Sequence, residues 1–134
     1  MSAYTTCKTA IRDMKYLVKA LINMGFKKDQ IEVHDKPITM NGYGSQKQEA
    51  NVIIRRQYTN AYGDMGFVQQ ADGTMAFVYD HMARQYDARW QDKLTQQYAL
   101  EALRDQCQIN GFFLDNVSTD TKGFIQIEAS NPHM

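Results

Sequence analysis

The sequence predicts an α+β fold, in which a mostly antiparallel sheet packs against two helices in a sandwich related to the ferredoxin-like arrangement. Two segments, residues 14–24 and 90–112, repeat apolar side chains at helical spacing. Short segments rich in β-branched and aromatic residues lie before, between and after them. Helices that interrupt antiparallel strands are typical of the α+β class. A chain of 134 residues is the size of one domain, so we expect residues 1–134 to form a single one.

The N-terminal part predicts a strand followed by a helix. Residues 3–8 favour a short strand, and Thr9 or Asp13 is a suitable helix N-cap. The helix is expected to end at Gly25, which can adopt the left-handed conformation, with Phe26 folding back onto its last turn.

The middle of the chain predicts strands joined by turns. A short strand around residues 31–33 is expected to end before Pro37, because proline cannot donate to the ladder. Residues 38–49 then predict a loop, since they are rich in Gly, Asn and Ser. Residues 51–58 give the clearest strand of the chain, and Gly63 is available for a positive φ in the turn that follows.

Two further hairpins are predicted. Residues 65–69 and 74–79 are joined by Asp72-Gly73, and Asp-Gly is a strong hairpin signal. After the second helix, residues 113–117 and 124–128 predict the final pair of strands.

The longest helix is predicted between Trp90 and Phe112, with Gly111 and Phe112 as its stop signal. Its apolar arc is wider than contact with one other helix requires, so we expect it to lie across the sheet with Leu103 buried. The apolar residues are Leu94, Tyr98, Ala102 and Ile109 on one flank, and Ala99, Leu100, Leu103 and Cys107 on the other.

Composition narrows the function. Fifteen basic and fifteen acidic residues cancel, so the chain has no general attraction for nucleic acid or anionic lipid. Neither a bilayer-spanning apolar run nor a signal pattern is present, which predicts a soluble protein without a membrane partner. Cys7 and Cys107 are interpreted as reduced thiols of an intracellular protein.

No catalytic, metal or cofactor site is predicted. His34-Asp35 and Asp80-His81 supply two histidines and two carboxylates, but nothing in the sequence fixes them in one place, and no spacing of a known zinc motif occurs. Cys107 has the position of a small core residue rather than of a nucleophile. We therefore expect a non-enzymatic protein.

A basic and aromatic cluster is the best candidate binding site. Tyrosine and arginine are common anchors of protein contacts, and on a sheet face they also stack bases and neutralise phosphates. With zero net charge we favour a small adaptor that binds another protein through an exposed sheet face or edge. The alternatives are a nucleic-acid-binding module and a solvated face, and a homo-oligomer stays open. The predicted binding residues are Arg55, Arg56, Tyr58, Tyr62, Arg84, Arg89 and Trp90.

Four segments in order resemble one known family. They are residues 1–26, residues 42–56, the hairpin DMGFVQQADGTMAFVYD at 64–80, and QQYALEAL at 96–103. This pattern is similar to the hypothetical chloroplast reading frame thirty-five family, also called domain of unknown function twelve fifty-seven.

The resemblance implies a protein of cyanobacteria, algal plastids or their phages. The expected location is the cytoplasm, which is the host cytoplasm for a phage protein, or the stroma for a plastid protein. The resemblance implies no established activity. The chain departs from the family pattern at Ala3, at Asp80-His81-Met82 and at its C-terminus, so functions carried by those segments in relatives are not transferred.

Overall fold

The computed structural model describes residues 4–42, 47–109, 113–119 and 125–130, with side chains described for residues 4–42 and 48–107. Two 3-10 turns lie at Lys28–Gln30 and Arg84–Tyr86. The helices are α1 (Met14–Asn23), α2 (Arg56–Thr59) and α3 (Ala88–Ile109). The strands are β1 (Tyr4–Lys8), β2 (Ile31–Asn41), β3 (Lys47–Ile54), β4 (Met65–Gln69), β5 (Met75–Asp80), β6 (Phe113–Thr119) and β7 (Ile125–Ser130).

An antiparallel sheet of five strands organises the fold. Its strand order is β1-β5-β4-β3-β2, so β1 and β2 are the two edges, and β6 and β7 pair separately. Strands and helices therefore combine as the sequence predicted, and the α+β class is confirmed. No helix within the described residues is long and apolar enough to cross a membrane.

One face of the sheet is covered by α1 and α3. Leu17 and Leu21 of α1 and Leu94 of α3 are buried in the same cluster as the sheet residues Phe67 and Phe77. Phe77 stacks on Phe67 with ring centroids 4.8 Å apart. Large apolar groups from the sheet and from both helices therefore form the main core.

The opposite face is covered by the end of the β2–β3 hairpin, residues 38–41 and 47–50, which we call the hairpin arm. The register of β2 against β3 shifts between Val33 and Ile38. The side-chain amide of Asn51 holds this irregular segment by donating to the carbonyl oxygens of His34 and Asp35, at 3.2 Å each. Beyond it, buried Met40 and Ala50 join Ile53 and Val78 in a second apolar cluster.

Gly66 permits the hairpin arm to pack closely. A Cβ atom at this position would lie 2.6 Å from Met40 Sδ, 2.7 Å from Ala50 Cβ and 2.8 Å from the carbonyl oxygen of Val52. Only a residue without a side chain fits this contact without displacement of its neighbours.

The local signals at both ends of α1 are confirmed. Asp13 is the N-cap, and its carboxylate accepts the Lys15 N–H at 2.8 Å. Gly25 has φ +115°. The Phe26 N–H donates to the Leu21 carbonyl at 3.2 Å, which completes a Schellman motif. The corresponding signal predicted for α3, Gly111-Phe112, lies outside the described residues.

Two predictions about β2 and the following loop were wrong. β2 does not end before Pro37 but continues to Asn41, because Pro37 lies on an edge strand at the irregular segment. The predicted loop at residues 38–49 is largely the paired hairpin arm.

Three other predictions also need correction. The strand predicted at residues 51–58 ends at Ile54 and is followed by α2. The residue with a positive φ after this strand is Asn60, at 56°, and not Gly63. Gly63 instead packs closely against Gly42: a Cβ atom on Gly63 would lie 3.2 Å from the Gly42 Cα. Leu103 is 37% exposed rather than buried, whereas Leu94 and Leu100 of the same helix are buried. Buried Cys107, by contrast, lies in the core side of the helix as expected.

Candidate binding surface

The α2 segment is positioned by the buried carboxylate of Asp64. After β3, Arg55 is extended and serves as the N-cap residue of α2. Asp64 Oδ1 accepts the Arg56 N–H at 2.7 Å, and Asp64 Oδ2 accepts the Asn41 N–H at 2.8 Å. One carboxylate at the start of β4 therefore holds both the first turn of α2 and the hairpin arm.

Arg55 belongs to this internal network. Its guanidinium forms two hydrogen bonds to Glu32, at 2.6 and 3.0 Å, and one to Asp64 Oδ2 at 2.9 Å. It also donates to the carbonyl oxygen of Thr39 at 3.1 Å. Hydrogen bonding by Glu32 raises the pKa of Arg55, and the same contact lowers the pKa of Glu32. The charge of Arg55 is thus neutralised within the fold.

Arg56, the next residue, has a different environment. Its side chain is exposed, and among the residues that the structure describes its guanidinium takes part in no ion pair. Tyr58 is 40% exposed and Tyr62 is 62% exposed. Beside them lies an open depression of about 430 Å³ lined by Arg56, Gln57, Asn60, Ala61 and Tyr62.

The 3-10 turn before α3 adjoins this segment. Gln85 Nε2 donates to the carbonyl oxygens of Thr59 and Asn60 at 3.3 and 3.2 Å. The buried Tyr86 hydroxyl donates to the Thr59 carbonyl at 2.6 Å. The structure therefore joins the 3-10 turn to the α2 segment, and the residues in contact are more than twenty positions apart in sequence.

The predicted residues divide into exposed and enclosed groups. Arg56, Tyr58, Tyr62 and Arg84 are exposed on the two adjoining segments, and Met82, which sequence reasoning missed, is 52% exposed there as well. The sequence did contain a signal for Met82, since it is an apolar residue in the turn that follows a predicted hairpin. We call these five side chains the α2 surface.

Arg55, Arg89 and Trp90 are not counted in the α2 surface. Trp90 is half-buried and stacks on Phe77 at 5.5 Å, with Tyr86 edge-on at 4.9 Å, so it serves the core. Arg89 is exposed in the first turn of α3. Arg55 and Trp90 of the predicted set therefore make contacts within the fold.

The histidines and cysteines form no metal centre in the described part of the chain, where no group of three or more His, Cys, Asp or Glu residues is placed to hold an ion. His34 Nε2 instead lies 3.0 Å from Glu32 Oε1. Cys7 and Cys107 are both free thiols.

These features define a small α+β protein with a helix-covered sheet and with exposed arginine, tyrosine and methionine side chains on two adjoining segments. Comparison with known families gives a more specific assignment. The chain belongs to the family described as protein of unknown function (DUF1257), whose model matches residues 20–127. The resemblance seen in the sequence is thereby confirmed. No curated protein and no solved structure gives a significant match.

Proposed function

We propose that the protein is a non-enzymatic adaptor that binds another protein through the α2 surface. One observation carries this proposal. Six large apolar side chains are 37% or more exposed among the described residues, and three of them, Tyr58, Tyr62 and Met82, come from the two segments joined at Thr59 and Asn60. The other three, Ile22, Val33 and Leu103, lie on three different elements.

The types of residue at this surface support a protein partner. Tyrosine and arginine are enriched among the residues that dominate interface energies, and methionine adapts its shape to a partner. The pairing of Arg55 with Glu32 and Asp64 removes one of the cations that a nucleic-acid site would have used. The two free thiols support an intracellular location, where the proposed partner would also occur.

Affinity purification from the native host tests the proposal. The wild-type protein and Tyr58→Ala are compared by quantitative mass spectrometry of the proteins that co-purify. Loss of a hot-spot tyrosine should weaken the specific partner by about 2 kcal/mol, which is roughly 30-fold. Ile22→Ala is the matched control, because Ile22 is exposed to a similar extent (39%) but lies on α1. Equal recovery of all partners with both variants would exclude the α2 surface as the binding site.

A further inference from the structure

We propose that the α2 surface recognises an acidic protein segment, in which carboxylates flank one large apolar side chain. This inference rests on the proposed function and specifies the chemistry of the partner. Arg56 and Arg84 would pair with the carboxylates, and the depression beside Arg56 would take the apolar side chain.

The two segments that form the surface carry basic residues, while the acidic residues Asp64, Asp80 and Asp87 lie just outside them. The segments 55–62 and 82–86 contain Arg55, Arg56 and Arg84 but no acidic residue. Arg55 is neutralised internally, whereas neither Arg56 nor Arg84 forms an ion pair within the described part of the chain. The surface therefore keeps two positive charges in a protein whose total charge is zero.

Three carboxylates lie next to these segments. Asp80 is buried, its Oδ1 accepts the Met82 N–H at 3.0 Å, and its Oδ2 has no hydrogen-bond partner among the described residues. Asp64 accepts hydrogen bonds from Arg55 and from two backbone N–H groups. Asp87 caps the start of α3, where its side chain accepts the Trp90 N–H at 3.0 Å. None of these carboxylates forms an ion pair with Arg56 or Arg84 in the described part of the chain, so the two exposed guanidiniums can bind carboxylates from outside through two parallel hydrogen bonds.

The depression explains why the partner segment should also carry a large apolar side chain. Its volume of about 430 Å³ is enough for a large side chain. Ala61 and Tyr62 provide apolar contact on one part of the lining, and the rest is polar. Ala61 also packs against the main core, so that part of the lining is supported from beneath. An acidic segment without an apolar residue would leave this space unfilled.

A nucleic acid fits the same surface less well. Its phosphates form a long row of equal charges, and affinity grows with the number of phosphates that are neutralised. Two exposed arginines can neutralise only a short part of such a row. A protein segment with a few carboxylates and one apolar side chain matches both the number of cations and the depression.

Titrations of the full ¹⁵N-labelled chain with three defined probes test the inference. The probes are the acetylated peptide Glu-Glu-Phe-Glu-Glu, its Gln-Gln-Phe-Gln-Gln counterpart and a short single-stranded oligothymidylate. We expect the acidic peptide to shift the Nε–Hε resonances of Arg56 and Arg84 and the backbone resonances of α2. Its affinity should fall roughly threefold in Arg56→Gln and again in Arg84→Gln, as for exposed ion pairs.

Arg104→Gln supplies the charge control. Arg104 is exposed on α3, sixteen residues and therefore about 24 Å along the helix from Ala88. It removes one positive charge from the chain but none from the α2 surface, so it should leave the affinity for the acidic peptide unchanged.

Several results would overturn the inference. They are equal binding of the glutamine peptide, tighter binding of the oligothymidylate, no shift at either arginine, or an equal loss of affinity in Arg104→Gln. The co-purification result is independent of them. If Tyr58→Ala loses its partner while the acidic peptide does not bind, the adaptor function stands and only the acidic character of the partner is refuted.

Discussion

Replacing Arg55 by alanine should destabilise the protein far more than the same change at Arg56. Arg55 is paired with Asp64, whose side chain is only 2% exposed, and with the partly exposed Glu32. A hydrogen bond to a buried charged group contributes about 1.5–3 kcal/mol. The partly exposed pair with Glu32 adds up to about 1 kcal/mol. The expected decrease in the free energy of unfolding is therefore about 2–4 kcal/mol.

The expected loss of stability in Arg55→Ala is smaller than for a buried charge that loses all of its partners, because Asp64 keeps other hydrogen bonds. Without Arg55, its carboxylate would still accept the N–H groups of Asn41 and Arg56. Complete loss of partners for a buried ion costs about 3–5 kcal/mol. A decrease of about 3 kcal/mol corresponds to a melting temperature roughly 10 °C lower for a chain of this length.

Urea unfolding followed by tryptophan fluorescence measures the effect. Trp90 is the only tryptophan, and its stacking on Phe77 makes it a reporter of the main core. The midpoint should fall without a change in the dependence on urea concentration. Arg56→Ala should stay within about 0.5 kcal/mol of the wild type, as surface substitutions usually do. Equal midpoints for the two variants would refute the structural distinction between these neighbouring arginines.

Three other predictions concern the core, the hairpin arm and acid stability. Leu94→Ala should lower the free energy of unfolding by about 2–5 kcal/mol and exposed Leu103→Ala by about 1 kcal/mol or less; urea midpoints in the reverse order would show that the two faces of α3 are misassigned. Gly66→Ala should cost about 1–3 kcal/mol, since the new Cβ would lie 2.8 Å from the Val52 carbonyl oxygen; a wild-type melting temperature would contradict this close contact. The paired guanidinium lowers the folded-state pKa of Glu32 below its ordinary 4.5, so its contribution is present above about pH 4.5 and is lost as the pH falls through the lower folded value. Urea midpoints measured in acid should therefore fall less steeply in Glu32→Gln than in the wild type, and parallel curves would argue against that ion pair.

The sequence was sufficient to predict helix ends and turns whose contacts join residues close together in the chain. Asp13 caps α1 by binding an N–H two residues away, and Gly25 ends it through bonds within one turn. The Asp72-Gly73 turn is likewise held by Asp72 Oδ1, which accepts the Thr74 N–H at 3.0 Å. Such contacts are encoded in a few consecutive positions, so composition and spacing predict them.

Contacts between distant residues could not be predicted in this way. Arg55 and Arg56 look equivalent in the sequence, and they differ only because Glu32, 23 residues away, and Asp64 enclose the first of them. The arrangement of the candidate surface also depends on contacts between distant residues. Its residue types were visible, but its separation from Trp90 and its contact with Gln85 depend on how the two segments meet.

The irregular segment of β2 also affects how the protein behaves at high concentration. β2 is an edge strand of eleven residues, and an uninterrupted edge of that length is a template for pairing with another chain. Its ladder to β3 is broken between Val33 and Ile38, and Pro37 presents no N–H group within the break. Only two short regular stretches are left, at residues 31–33 and 38–41. The proline that failed to end the strand thereby protects it from edge-to-edge aggregation.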